Sequence, residues 1–207
     1  MLISRFAFLI LIAHLSAAPF ADEIKLNQDE QGRIDKGKIV IRNIENKNLP
    51  GATLEAIGLI NTPRSEVVNV ILDFTSYGDF MPNVRLVDTL SSQAESAVLN
   101  YYLELPMNIE QKYRVEIWWA EQDSLTSLVE WNSIDWPGLE PLETIKATNG
   151  YWLIKEQSET VTLVLYHAYV DPGAVPFGFG WIVDFMTEQS FPEVFLKTRE
   201  RIESLND

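Results

Sequence analysis

Residues that could perform acid–base or nucleophilic chemistry are scarce in this chain. Its 207 residues include two histidines and no cysteine. His14 lies in the apolar N-terminal stretch, which leaves His167 in the middle of a predicted strand, with no motif linking it to a serine or an aspartate. A nucleophile–base triad needs an imidazole or a substitute base. The sequence therefore favours a structural or cavity-lining role for His167 over a catalytic one.

Metal and phosphate sites of the common types find no support in the sequence either. Zinc, copper and iron–sulfur centres need several His or Cys ligands, and the pairs Asp22-Glu23 and Asp29-Glu30 lack calcium-loop spacing. Gly178-Phe179-Gly180 is not followed by the Lys and Ser/Thr of a phosphate-binding loop. Two carboxylates for glycoside hydrolysis stay open, because any two of the 30 acidic residues could meet. We expect no cofactor and no metal, and we expect binding rather than catalysis.

The N-terminal 21 residues have the pattern of a secretory signal peptide. Arg5 precedes an apolar segment at 6–15, and small residues lead to a cleavage site that we place after Ala21. Ten apolar residues are too few for a membrane span, which needs about 20. Export without any cysteine suits a bacterial periplasm, so we predict a periplasmic or secreted protein. The net charge of −14 disfavours nucleic acid and anionic lipid headgroups as partners.

The remaining chain predicts a loose N-terminal lead at 22–37 and one domain at 38–205. Thr62 is the predicted N-cap of a helix that has Pro63 at its first position and an apolar face of Val67, Val70, Ile71 and Phe74. A further short helical turn is predicted at 79–84. Period-two alternation and β-branched residues predict strands at 39–44, 53–61, 84–90, 97–105, 111–121, 125–134, 145–157 and 160–170.

A Pro/Gly-rich turn at 171–176 then leads into one long apolar-striped helix that ends near Leu205. A helix that follows a run of antiparallel strands must bury its stripe on their concave face. We therefore predict an α+β fold in which a curved antiparallel β-sheet wraps around a long C-terminal α-helix. The 11% aromatic content can fill the core or line a pocket, and the sequence leaves both possibilities open.

Several segments resemble, in order and spacing, the START-like families of the helix-grip (SRPBCC) superfamily, which also includes polyketide cyclases and ubiquinone-binding chaperones. The resemblance spans Gly37 to Ile202. It departs from the family where an Arg-Asp pair is missing from 105–112 and where Ala174 replaces a second glycine. The matching segments are 62–74, 77–84, the Gly-x-Trp strand at 149–153, the strand at 162–166, and Asp171-Pro172-Gly173 followed by Pro176, Pro192 and Arg199.

The resemblance implies a cavity between the sheet and the terminal helix that binds a hydrophobic small molecule, such as a lipid acyl chain or an isoprenoid quinone, with transient membrane contact. Plain core packing is the competing explanation for every candidate contact. We also consider a bend at Pro192 that gates the cavity, with a static bend that follows the curvature of the sheet as the alternative. The candidate contacts are Tyr101 and Trp119 on strands, Trp136 and Leu139 on the 135–141 loop, and Trp181, Phe185 and Met186 on the terminal helix.

Two other functions remain open from the sequence. One is an enzyme of cyclase or hydrolase type that uses the same cavity, although the near absence of histidine argues against it. The other is an interaction module with a filled core, whose loop at Trp136 contacts a protein that the sequence does not identify.

Overall fold

Eight strands form most of the structure, a computed structural model that describes residues 24–45, 49–173 and 189–205. They are β1 (Val40–Asn43), β2 (Ala52–Ile60), β3 (Val84–Ser92), β4 (Ser96–Leu105), β5 (Ile109–Asp123), β6 (Thr126–Ile134), β7 (Ala147–Ser158) and β8 (Val161–Asp171). They pair in the order β1-β2-β8-β7-β6-β5-β4-β3, and every pairing is antiparallel. The long connection between β2 and β3 carries two helices, and a last helix follows β8.

All eight predicted strands are present, and their ends lie within two residues of the predicted ones. The agreement follows from side-chain alternation. A period of two places the apolar residues on one face of a strand, whereas in a helix it would spread them over all sides. The predicted fold class, a curved antiparallel sheet with a C-terminal helix, is confirmed.

The sheet buries apolar side chains on both faces. Val164, Tyr166 and Ala168 of β8 point to the concave face and join the main core. Leu163 and Leu165 point to the convex face and join a second core. In this second core, the two leucines of β8 join Ile34 of a helix from the N-terminal segment.

That helix is α1 (Gln28–Ile34), and it corrects the prediction of a loose lead at 22–37. The Asn27 side chain accepts hydrogen bonds from the backbone of Asp29 and Glu30, and the Glu30 carboxylate accepts one from the backbone of Asn27. This reciprocal capping box starts the helix. Ile34 at its end is buried against Ile57 in the convex core. The Asn27–Glu30 spacing was the sequence signal that we overlooked.

Arg42 of β1 ties α1 to the sheet. Its guanidinium donates to both carboxylate oxygens of Glu30 at 2.8 Å, to the Lys25 carbonyl at 2.6 Å and to Glu55 at 3.1 Å. Nδ1 of His167 lies 3.1 Å from the other oxygen of Glu55. The hydrogen bonds with His167 and with Arg42 hold the pKa of Glu55 below its usual range. His167 therefore belongs to a structural network on the convex face.

The second helix begins one residue later than predicted. It is α2 (Arg64–Leu72), and its N-cap is Pro63 in an extended conformation, with no side-chain cap. Thr62, the predicted N-cap, lies one residue earlier, and its carbonyl accepts a hydrogen bond from the Thr162 hydroxyl at 2.8 Å. This bond fixes the start of α2 to β8. A single helical turn, α3 (Tyr77–Phe80), follows.

The predicted apolar face of α2 packs into the main core. Val67, Val70 and Ile71 are buried, and Phe74 is buried in the 3₁₀ turn that follows. At the other side of α2, the Arg64 guanidinium contacts Glu121 of β5 and Ser127 of β6. This polar contact closes one end of the concave face.

The last helix, α4 (Phe191–Ser204), lies on the concave face against β2 and α2. Pro192 lies in its first turn, where a missing N–H removes no hydrogen bond inside α4. Gln189 and Ser190 before it form a π-helical turn. The predicted gate at Pro192 would involve 174–188, which lie outside the described residues, so the gate stays a prediction. The buried face of α4 consists of Phe191, Phe195, Thr198 and Ile202.

Gly150 of β7 makes room for an aromatic side chain. A Cβ at this position would overlap the His167 carbonyl and the ring of Trp131, its cross-strand partner on β6. Trp131 uses this space to stack on Tyr166 with 5.8 Å between ring centroids. The glycine of the Gly-x-Trp motif is therefore needed for the position of another tryptophan.

We expect Gly150→Ala to destabilise the fold by about 1–3 kcal/mol, because the β8 backbone and the Trp131 ring must both shift. Urea unfolding measures the change. Gly32→Ala in α1 is the matched control, since a Cβ there meets nothing within 4 Å, and it should stabilise by up to about 1 kcal/mol. Equal stability of Gly150→Ala and the unsubstituted protein would contradict the steric argument.

We also expect the Arg42–Glu30 contact to make stability depend on acid pH. Hydrogen bonding from Arg42 lowers the pKa of Glu30 from 4.5 to about 2. A depressed carboxylate pKa stabilises the fold above the unfolded-state value and loses that effect as pH falls toward about 2. Glu30→Gln should therefore cost about 1–2 kcal/mol at pH 7 and nothing near pH 2.

Asp29→Asn is the control for this experiment, because Asp29 is exposed in the same helical turn. Chemical unfolding from pH 7 down to pH 2 gives the comparison. A Glu30→Gln variant with the pH profile of the unsubstituted protein would show that the contact does not hold α1 in place.

Candidate functional site

A cavity of about 170 Å³ lies between the concave face of the sheet and the helices α3 and α4. Strands β3 to β8 supply most of its wall. The loop before β7 contributes Ile145, and the connection between α3 and β3 contributes Pro82 and Asn83. The start of α4 adds Ser190, Phe191 and Val194 to the wall.

Two adjacent strands form one wall through alternate residues. Tyr101 of β4 pairs directly with Tyr113 of β5, so their side chains leave the sheet side by side. Their rings stack with centroids 4.8 Å apart and planes at 9°. The other side chains of this wall are Leu103, Leu105, Val115 and Ile117.

A stack of aromatic rings forms the second wall. Tyr166 of β8 lies 4.2 Å from Trp152 of β7 and 4.9 Å from Phe191 of α4, measured between centroids. Trp131 packs on the same tyrosine, and its indole N–H donates to the Thr148 hydroxyl at 3.4 Å. The stack joins the sheet to α4 directly through the cavity wall.

A hydrogen bond fixes the start of α4 at one end of the cavity. The Asn83 amide donates to the Ser190 hydroxyl at 2.9 Å. Asn83 has a φ of 60°, a conformation that asparagine tolerates better than most residues. The bond therefore depends on the asparagine both for its backbone and for its side chain.

The wall is apolar with a few neutral polar groups. The described residues that line the cavity include no Asp, Glu, Lys, Arg or His. Burial raises the pKa of Tyr77 and Tyr113 far above the ordinary value and also raises that of Tyr101 and Tyr166. All four phenols therefore stay protonated and neutral at physiological pH.

These groups offer hydrogen bonding but no evident acid–base pair. Among residues 24–45, 49–173 and 189–205, no three His, Cys, Asp or Glu side chains come together in a way that could hold a metal ion. In the same ranges, no helix has the length and hydropathy needed to cross a membrane. Along the described wall, the chemistry available is apolar contact and neutral hydrogen bonding.

Of the candidates on the strands, Tyr101 lines the cavity and Trp119 lies beside it. Trp119 is two residues beyond Ile117, the last β5 residue in the wall, and it packs on Phe74 with centroids 6.2 Å apart. Its position is the periphery of the main core.

The loop candidates Trp136 and Leu139 lie outside the cavity. They line a neighbouring surface groove that shares Tyr113 and Ile145 with the cavity wall. Trp136 is half-buried, because its ring packs edge-on against Tyr102 and lies 5.0 Å from the Arg114 guanidinium carbon. Whether either residue contacts a ligand stays a prediction.

The helix candidates Trp181, Phe185 and Met186 lie outside the described residues. Their roles also stay predictions.

The sequence analysis did not select several residues of the wall. Tyr113 shares its strand face with Val115, Ile117 and Trp119, and a strict use of that alternation would have included it. Trp152 lies in the recognised Gly-x-Trp motif. Nothing local marks the remaining ones, because their place in the wall depends on pairing between distant strands. They are Trp131, Tyr166 and Phe191.

Comparison with known proteins identifies the fold. No family model and no curated sequence matches the chain. A STAR-related lipid transfer protein from Xanthomonas axonopodis superposes with a TM-score of 0.68 at 15% identity, over 80% of this chain and 93% of that one. Human StAR-related lipid transfer protein 5 gives 0.69 at 12% identity, over 82% and 84%.

The Zhui aromatase/cyclase from Streptomyces sp. R1128 gives a TM-score of 0.61 at 11% identity, over 81% of this chain and 97% of that one. All three similarities span most of both chains. The curved eight-stranded sheet and the helix α4 across its concave face are thus those of the START-like, or SRPBCC, helix-grip fold.

Proposed function

We propose that this protein binds a hydrophobic small molecule in the cavity between the sheet and α4. The observation that carries the proposal is the described wall, which is aromatic and aliphatic and holds no charged side chain. Transfer of apolar surface from water to such a wall contributes about 25 cal/mol per Å². Two of the structural neighbours are named as lipid transfer proteins.

The size of the cavity favours a compact ligand. Its volume of about 170 Å³ is below the roughly 300–1,000 Å³ usual for sites that hold drug-sized molecules. A single-chain or ring-containing apolar molecule suits this volume better than a lipid with two acyl chains.

We further propose that the ligand exchanges through transient contact with a membrane. Exposed apolar side chains at one end of the sheet include Leu49 before β2, Met107 between β4 and β5, and Leu142 between β6 and β7. The cavity wall reaches the same end through Leu105 and Ile145. Contact with the apolar part of a membrane removes side chains of this kind from water, which is favourable.

Catalysis is the alternative, since one neighbour is an aromatase/cyclase. General acid–base chemistry needs a titratable side chain with a pKa near the working pH. Along the described wall the titratable groups are tyrosines whose pKa is raised by burial. Binding therefore accounts for this wall better than turnover does.

We expect Val194→Trp to block ligand binding. Val194 projects from α4 into the cavity wall, so an indole there occupies ligand space. Titration with the neutral fluorescent probe N-phenyl-1-naphthylamine should show affinity reduced by about tenfold or more. The control is Glu193→Trp on the exposed side of the same helix, which should bind as the unsubstituted protein does. Equal binding by Val194→Trp would place the ligand elsewhere.

The proposed site of action is the periplasm, supported by the signal-peptide pattern of residues 1–21. We expect the protein made in a Gram-negative host to appear in the periplasmic fraction with Asp22 as its first residue. Intact-mass spectrometry measures the cut. Deletion of residues 6–15 should keep the protein uncleaved in the cytoplasm, and unchanged export of that variant would contradict the assignment.

A further inference from the structure

Three tyrosine hydroxyls in the cavity have no hydrogen-bond partner among the described residues. Tyr101 and Tyr113 form the stacked pair on β4 and β5, and Tyr166 comes from β8, three strands away in the sheet. All three line the cavity, and all three are partly exposed. Tyr166 makes ionisation of Tyr101 less favourable, and Tyr101 and Tyr166 do the same for Tyr113, which reflects their proximity.

Other polar groups of the wall have hydrogen-bond partners within the fold. Tyr77 also lines the cavity, but its hydroxyl donates to the Ile71 carbonyl at 2.5 Å. The indole N–H of Trp131 is bonded to Thr148, and Asn83 is bonded to Ser190. Among the described residues, these groups are therefore hydrogen-bonded within the fold, whereas the three phenols are not.

An unpaired hydroxyl in an apolar enclosure is unfavourable compared with a phenylalanine of the same shape. The stacking of Tyr101 on Tyr113, and of Tyr166 on Trp152 and Phe191, needs only the rings. Three such hydroxyls on one cavity are best explained by a bound group that accepts their hydrogen bonds.

The charge of that group follows from its surroundings. No cationic side chain lines the described cavity, so a carboxylate or phosphate there would be buried without a counter-charge, which is strongly unfavourable. A neutral carbonyl oxygen has two lone pairs and can accept from two phenols at once.

We propose that the ligand is a neutral apolar molecule with a carbonyl oxygen, as in a ketone or quinone, and that Tyr101, Tyr113 and Tyr166 supply the phenols that donate hydrogen bonds to that oxygen, two at a time. The proposal rests on the proposed function, because it names the chemical class of the molecule bound in the same cavity.

Three probes with one ring system test the proposal: 2-acetylnaphthalene, 2-ethylnaphthalene and 2-naphthoate. They share their apolar body and differ in offering a carbonyl, no polar group or an anion. Isothermal titration should give an affinity for the ketone about three- to tenfold above that for the hydrocarbon, with the anion weakest. Equal affinities for ketone and hydrocarbon, or tightest binding of the anion, would overturn the proposal while leaving an apolar site intact. Failure of all three probes to bind would overturn both this inference and the proposed function.

Substitution by phenylalanine assigns the effect to the hydroxyls. Tyr101→Phe, Tyr113→Phe and Tyr166→Phe should each reduce the preference for ketone over hydrocarbon, with hydrocarbon affinity unchanged. Tyr102→Phe is the matched control, because Tyr102 is adjacent on β4 and points to the opposite face of the sheet. A loss of affinity for both probes in equal measure would mean that these residues shape the cavity without bonding the carbonyl.

Thermal unfolding of the ligand-free variants gives an independent readout. Tyr101→Phe, Tyr113→Phe and Tyr166→Phe should keep or raise the melting temperature, since each removes an unpaired hydroxyl. Tyr77→Phe should lower it, because its bond to Ile71 is lost. A lower melting temperature for all of the first three variants would assign their hydroxyls to the fold and overturn the proposal.

Discussion

The packing of α4 on the concave face of the sheet is the contact on which the cavity depends. Phe195 lies against Gly58 of β2, where a Cβ would be only 3.0 Å from the phenylalanine ring. The ring centroids of Phe195 and Trp152 are 6.3 Å apart. Phe191, one turn earlier, stacks on Tyr166. The first of these contacts fixes the depth of the helix, and the second makes its end part of the cavity wall. Without α4, the aromatic residues of β7 and β8 would be an exposed surface.

Much of the fold could be predicted from the sequence because strand alternation is a local property. Val115, Ile117 and their intervening polar neighbours identify a strand without any knowledge of its partners. The helix α1 was missed for the opposite reason, since it has little apolar content of its own. The burial of Ile34 that stabilises it takes place in a core to which β1, β2 and β8 contribute. Its capping box was present, but a cap alone does not distinguish a helix from a turn.

The cavity could be predicted only in part. Alternation shows which residues share a face of a strand, and Tyr101 lies on the concave face with Leu103 and Leu105. Alternation does not show how far along the sheet the cavity extends, and Trp119 lies just beyond its end, on Phe74. Trp131 enters the wall through a neighbouring strand, because Gly150 leaves room for its ring. That relation depends on the register between β6 and β7, which no short segment of sequence contains.

The stacked rings of the second wall give the protein a built-in optical reporter. Tyr166 is at the centre of a cluster with Trp131, Trp152 and Phe191, which extends from β6 to α4 with centroids between 4.2 and 5.8 Å from that of Tyr166. Chromophores held this close in a fixed, asymmetric arrangement couple strongly and produce intense near-ultraviolet circular dichroism. Because the last ring belongs to α4 and the others to the sheet, that signal reports directly on whether the helix is seated. A ligand that contacts these rings is therefore expected to change this signal without any added label.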